Sequence, residues 1–243
     1  MTCLLYGIVF SSSREPDGGP TPLVLPPGVG GAAVRLVEEG GLGAAVSMID
    51  PADLTPNVAR LLSFARVVEA LHAHRTVVPM RYGCLFGDEW QVVNLLRARG
   101  EDYRAILHGL DGCVEMGVRI LLPIEPFSPP FSLEMEGTSG RAYLARRAAR
   151  YAREEATARA LATLTERARQ GLAGLAERTE TDNNSRADQR FSSLYFLVKR
   201  GLVESFRREF RRIERAEPAR FLLSGPWPPY TFVASSPNGN GHG

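Results

Sequence analysis

Residues 139–177 constrain the fold more than any other stretch, because nearly forty positions pass without a proline and are rich in Ala, Arg, Leu and Glu. Such residues lose little rotamer freedom in a helix, and without proline no hydrogen bond of the ladder is missing. Leu144, Ala148, Tyr151, Ala158, Leu161, Thr165, Ala168, Leu172 and Leu175 recur at helical spacing and predict one apolar stripe along a long helix. Such a helix needs a sheet or another helix to cover that stripe.

The flanking sequence supplies strands. Residues 1–10 are apolar, β-branched and aromatic, and end at Ser11-Ser12-Ser13. Residues 16–31 hold five prolines and five glycines and predict a loop. Strands at 33–37 and 42–49 flank Gly40-Gly41, which marks a hairpin. A helix follows to about His74, carrying Val58, Leu61, Leu62, Ala65, Val68 and Leu71, with Asp53 or Thr55 as its cap and Pro56 in its first turn. The order continues with a strand at 76–82, helices at 88–99 and 101–109 parted at Gly100, and a strand at 114–122. Beyond the long helix come a polar loop at 179–189, a strand at 194–198, a helix at 202–216, and strands at 221–223 and 230–233. This is an α+β pattern. It predicts two subdomains, residues 1–111 and 112–233, the second ferredoxin-like with an elongated helix, then a disordered tail at 234–243.

Composition narrows the function. The three cysteines, Cys3, Cys84 and Cys113, are too few and too scattered for a disulfide framework and point to a reducing cytoplasm. No apolar run reaches the roughly 18–20 residues of a membrane span, and the first ten residues lack the basic start of a secretory signal. His72-Ala73-His74 is an i, i+2 pair at a helix end, whose side chains diverge. Gly28-Val29-Gly30-Gly31 lacks both the strand–helix context and the Lys-Ser/Thr of a phosphate cradle. Asp88-Glu89 and Glu101-Asp102 open predicted helices, where the dipole favours carboxylates. The expectation is therefore no enzyme, no metal and no cofactor.

Charge is uneven. Residues 1–140 carry 10 basic and 16 acidic groups, net −6, whereas residues 141–243 carry 19 and 11, net +8. The long helix alone presents Arg141, Arg146, Arg147, Arg150 and Arg153 within thirteen residues. They form either a surface for an acidic partner or a solvated face balanced by Glu154 and Glu155. With only Tyr143 and Tyr151 interleaved, base stacking is poorly served, and the reading is no nucleic acid.

Three stretches carry a resemblance. They are Thr76-Val77-Val78-Pro79-Met80-Arg81-Tyr82-Gly83-Cys84-Leu85-Phe86, Gly140-Arg141-Ala142-Tyr143-Leu144-Ala145-Arg146-Arg147, and Leu223-Ser224-Gly225-Pro226-Trp227-Pro228-Pro229-Tyr230-Thr231-Phe232. Together with Leu5-Tyr6-Gly7-Ile8 and Ala44-Ala45-Val46-Ser47, the chain resembles the gas vesicle GvpL/GvpF family from near residue 4 to 233. Cys84 and the Pro/Gly insert at 16–31 depart from the family pattern. The resemblance implies a cytoplasmic, gas vesicle associated accessory or assembly protein. Its implied partners are the small hydrophobic shell protein and other gas vesicle accessory proteins, with no lipid membrane. The rival readings are an RNA-binding module or an enzyme on a ferredoxin-like scaffold. The candidates for partner binding are Arg141, Tyr143, Arg146, Arg147 and Arg150 on the helix, and Trp227 and Tyr230, which the prolines hold on an extended segment either as a structural clamp or as anchors for a partner.

Overall fold

The computed structural model describes residues 1–11, 24–122, 140–182 and 191–234. The chain is α+β and divides into two compact units: Met1–Glu115 together with the chain from Pro226 onward, and Met116–Gly225. The sequence suggested one cut, near 111–112, and carries no sign of the second crossing at Gly225. Of the tail expected at 234–243, Ala234 ends a helix and the rest lies outside the described residues, as do 16–23 of the expected loop.

In the first unit, strands β1 (Thr2–Phe10), β2 (Arg35–Glu39), β3 (Leu42–Ile49), β4 (Val77–Pro79) and β5 (Leu85–Phe86) form one sheet of order β2-β3-β1-β4, with β5 also on β1. Gly40 and Gly41 both take positive φ, +56° and +80°, which matches the twist of the β2–β3 hairpin they close. Every residue from Cys3 to Val9 is buried, so both faces of β1 are covered. Helix α1 (Val58–His74) packs on β1 and β4, and helix α2 (Glu89–Gly109) packs on β1, β2 and β3. Leu4, Tyr6, Val9, Ala45, Ile49, Phe64, Val67, Val68 and Leu71 make the core under α1.

A bulge between Leu5 and Gly7 carries Tyr6 out of the regular β1–β3 register. The Tyr6 hydroxyl lies 2.8 Å from Ser47 Oγ and accepts from the Val29 amide at 2.9 Å, while its ring stacks on Phe64 at 4.9 Å. A Cβ at Gly28 would stand 2.1 Å from that hydroxyl, so only glycine fits there.

Local chemistry accounts for the shifts from expectation. Asn57, not Asp53 or Thr55, caps α1 by accepting from the Arg60 amide at 2.9 Å; Asp53 pairs with the Arg60 guanidinium at 2.7 Å. Asp50 and Pro51 instead start a separate 3-10 turn over Pro51–Leu54. The break expected at Gly100 falls one residue earlier, at a kink where Arg99 takes the non-helical φ −120° and ψ 19° and parts α2 into two helical stretches.

The second unit runs from Met116 in β6 (Cys113–Leu121) through α3 (Gly140–Ala173), β7 (Arg178–Thr181), β8 (Phe191–Lys199) and α4 (Val203–Ala216) to Gly225 in β9 (Arg220–Trp227), with sheet order β7-β8-β6-β9. That is the element order β-α-β-β-α-β. β7 occupies the start of the expected 179–189 loop by pairing antiparallel with β8; residues 183–190 lie outside the described ones. On α4, Val203, Phe206, Phe210 and Ile213 are buried at helical spacing, and Phe206 meets Phe196 at 5.2 Å. Helix α3 crosses α4 at Gly171, where a Cβ would come 2.7 Å from Ile213 Cδ1.

The stripe expected along the whole of α3 is half a stripe. Leu164, Ala168 and Leu172 are buried, but Leu144 is 63% exposed and Tyr151 47% exposed. Periodicity continues past the point where the described residues still cover the helix.

The last expected strand, 230–233, is a short helix, α5 (Tyr230–Ala234). Pro228 and Pro229 lack amide donors and end β9, and the Tyr230 amide turns back to the Pro228 carbonyl at 2.8 Å. Phe232 is then fully buried.

Candidate functional site

The sequence-derived candidates fall in two groups, one in each unit. Arg141, Tyr143, Arg147 and Arg150 lie on the exposed N-terminal half of α3; Arg146 lies on the same half, its side chain outside the described residues. Arg147 and Arg150 stand over the Tyr151 ring at 5.5 and 5.4 Å, and Arg147 also donates to the Tyr151 hydroxyl. Arg150 pairs with Glu154 at 3.5 Å, one turn on. Glu154 thus takes part of the charge, as the solvated-face reading expects.

Trp227 and Tyr230 belong to the first unit. Trp227 ends β9 with 47% of its surface exposed, while Tyr230 is half-buried against the core under α1. Beside them a cleft of about 300 Å³ is lined by Ala65 and Glu69 of α1, Glu115 of β6, and Trp227, Pro228 and Tyr230.

Glu115 is the group that sequence reading missed. Its carboxylate accepts from the Thr231 amide at 2.8 Å and from the Thr231 hydroxyl at 3.0 Å, so it satisfies an amide at the start of α5 from 116 positions away. Burial pushes the Glu115 carboxyl above its ordinary value, while the two Thr231 bonds pull the other way. The Tyr230 phenol is pushed up to about 12, first by burial and then by the nearby Glu69 and Glu115 charges, and stays neutral. A lone carboxylate inside the apolar run Cys113-Val114-Glu115-Met116-Gly117-Val118 was the signal for it.

Helix α1 splits the set of apolar residues that its spacing groups together. Val58 is 74% exposed and Leu62 52%, with Leu61 exposed beside them, whereas Phe64, Val67, Val68 and Leu71 are buried. α1 is apolar on more than one side, and only one side finds the sheet.

The cleft offers two carboxylates and an aromatic wall, an arrangement suited to a cationic side chain. Among the described residues, no group of three or more His, Cys, Asp and Glu could hold a metal ion. Among the described residues, no helix is long and apolar enough to cross a membrane.

Comparison with known proteins covers nearly the whole chain. The family model described as gas vesicle synthesis protein GvpL/GvpF matches residues 2–234. Gas vesicle protein F of a Streptomyces species is 28% identical over 96% of this chain and 100% of its own length. Gas vesicle protein L of the same organism is 30% identical over 93% of this chain and 91% of its own. The crystal structure of GvpF from Anabaena sp. PCC7120 superposes with a TM-score of 0.73 at 21% identity, covering 95% of this chain and 97% of that one, and thereby shares the fold. The chain belongs to the GvpL/GvpF family of gas vesicle synthesis proteins.

Proposed function

We propose that the protein is a gas vesicle accessory protein that binds the hydrophobic shell protein and other vesicle accessory proteins during assembly, as a minor component or a chaperone-like factor. The match to the gas vesicle synthesis family over residues 2–234 carries this reading. The exposed apolar side chains support it: a shell subunit with a large apolar face needs cover before it joins the wall, and Trp227, Leu61 and Leu62 offer apolar surface at low desolvation cost. The arginines of α3 would orient the encounter and raise the on-rate.

Purified protein should capture shell protein in a pull-down, and deletion of its gene should abolish or reduce vesicles. Capture should weaken only modestly with salt, since exposed charges are screened over about 8 Å at physiological ionic strength while apolar burial is not. A wild-type protein that captures no shell protein, together with intact vesicles in the deletion strain, ends the assembly reading.

A further inference from the structure

The first unit exposes an apolar and acidic face, and α3 exposes a basic and aromatic one. Thirteen large apolar side chains are exposed among the described residues, and seven of them sit on these two surfaces: Val58, Leu61, Leu62 and Trp227 on one, Tyr143, Leu144 and Tyr151 on the other. The charged groups lining the cleft beside Trp227 are both acidic, Glu69 and Glu115. Residues 141–159 hold six arginines against Glu154 and Glu155, net +4.

We propose that the chain associates with a second copy of itself, the exposed half of α3 of one copy docking on the α1–Trp227 face of the next. An arginine of the helix, Arg147 or Arg150, enters the cleft lined by Glu69 and Trp227. Guanidinium suits that cleft. It is weakly hydrated, stacks on an indole face, and pairs with a carboxylate in the same approach. Leu144, three positions before Arg147, then meets the Val58–Leu62 stripe as helix lies on helix, burying apolar surface that neither face covers alone. The helix brings its cations already ordered, because Arg147 and Arg150 rest on Tyr151 at 5.5 and 5.4 Å. The two patches complement each other rather than themselves, and every copy carries one of each.

The test is sedimentation velocity on the purified full chain alone, over about 1–100 μM, a range that reads weak contacts. Wild-type mass should rise with concentration, and the rise should shrink as salt goes from about 0.05 to 0.5 M. Glu69→Arg reverses the cleft, and Arg147→Glu with Arg150→Glu reverses the helix. All three positions are exposed, and circular dichroism should show both variants folded. Each variant alone should associate at least about tenfold more weakly than wild type. Mixed in equal amounts they should associate again, because the intact helix of the first meets the intact cleft of the second. Leu62→Ser, which changes no charge, should weaken association at every salt concentration. A wild type that stays monomeric at the highest concentration overturns the proposal. So does either charge variant associating like wild type, or an equimolar mixture that remains monomeric. No shell protein is present in this experiment, so its outcome is separate from that of the assembly reading.

Discussion

The Glu115–Thr231 contact sets one carboxylate two opposing tasks, and substitutions separate them. Glu115→Ala removes both acceptors, at 2.8 and 3.0 Å, and leaves the Thr231 amide at the head of α5 without that partner. Hydrogen bonds to a charged group contribute about 1.5–3 kcal/mol each, but ionising a buried carboxyl offsets part of this. The expected net loss is about 2–3 kcal/mol. Glu115→Gln keeps an oxygen to accept from the amide and gains an N–H to donate to the Thr231 hydroxyl, while removing the buried charge. It should lie within about 1 kcal/mol of wild type at neutral pH. The pH dependence has a definite sign. Burial raises the folded-state pKa of Glu115 above its unfolded value. Its contribution is therefore fully present below the unfolded pKa and is lost as pH rises through the folded one. Glu115→Gln should gain on wild type between acidic and neutral pH. The assay is urea unfolding followed by tryptophan fluorescence, since both tryptophans, Trp90 and Trp227, lie in the first unit. Glutamine proving as damaging as alanine, or a wild-type-to-glutamine gap that does not move with pH, refutes this account of the contact.

The Tyr6 hydroxyl and its glycine neighbour make a second pair. Tyr6→Phe strands the Val29 amide and should cost about 1–3 kcal/mol, and Gly28→Ala, whose Cβ would overlap that hydroxyl at 2.1 Å, should cost a similar amount by overpacking; denaturant midpoints measure both. On α3, Leu144→Asp should leave stability within about 0.5 kcal/mol of wild type, while Leu172→Asp, at a fully buried position, should unfold the second unit; circular dichroism on heating separates the two.

What could be read from the sequence was local. Gly40-Gly41 between two apolar runs specifies its hairpin because both positions need positive φ, and the structure places the turn there. The α3 helix is found within a few residues because proline is absent and straight-chain residues abound. What failed was whatever depends on distant partners. Tyr230-Thr231-Phe232-Val233 has the composition of a strand, but a carboxylate 116 positions earlier caps it as a helix. The apolar residues of α1 and α3 recur at helical spacing, yet spacing tells which residues share a face, not whether anything covers it. Val58, Leu61 and Leu62 on α1 and Leu144 and Tyr151 on α3 are exposed despite that spacing. Of the candidate site, Trp227 and Tyr230 came from a proline-bounded motif, whereas Glu69 and Glu115 join them only in three dimensions.

The passage of the chain out of the first unit at Glu115 and back into it at Pro226 permits an order of maturation other than N-terminus first. During synthesis, domains ordinarily fold from the N-terminus onward. Here residues 116–225 are all made before Trp227, Tyr230 and Phe232 exist, so the second unit can finish while the first still lacks its closing helix. Bringing Thr231 to Glu115 through an unfolded chain means closing a long loop, a cost that grows as about (3/2)RT ln n with loop length. Once the intervening unit has folded, that loop is already shortened, and the final closure becomes a nearly local event. The segment from Pro226 onward therefore acts as a latch on the first unit. A chain that stops after residue 225 carries every residue of the second unit but leaves the buried site of Phe232 in the first unit unfilled.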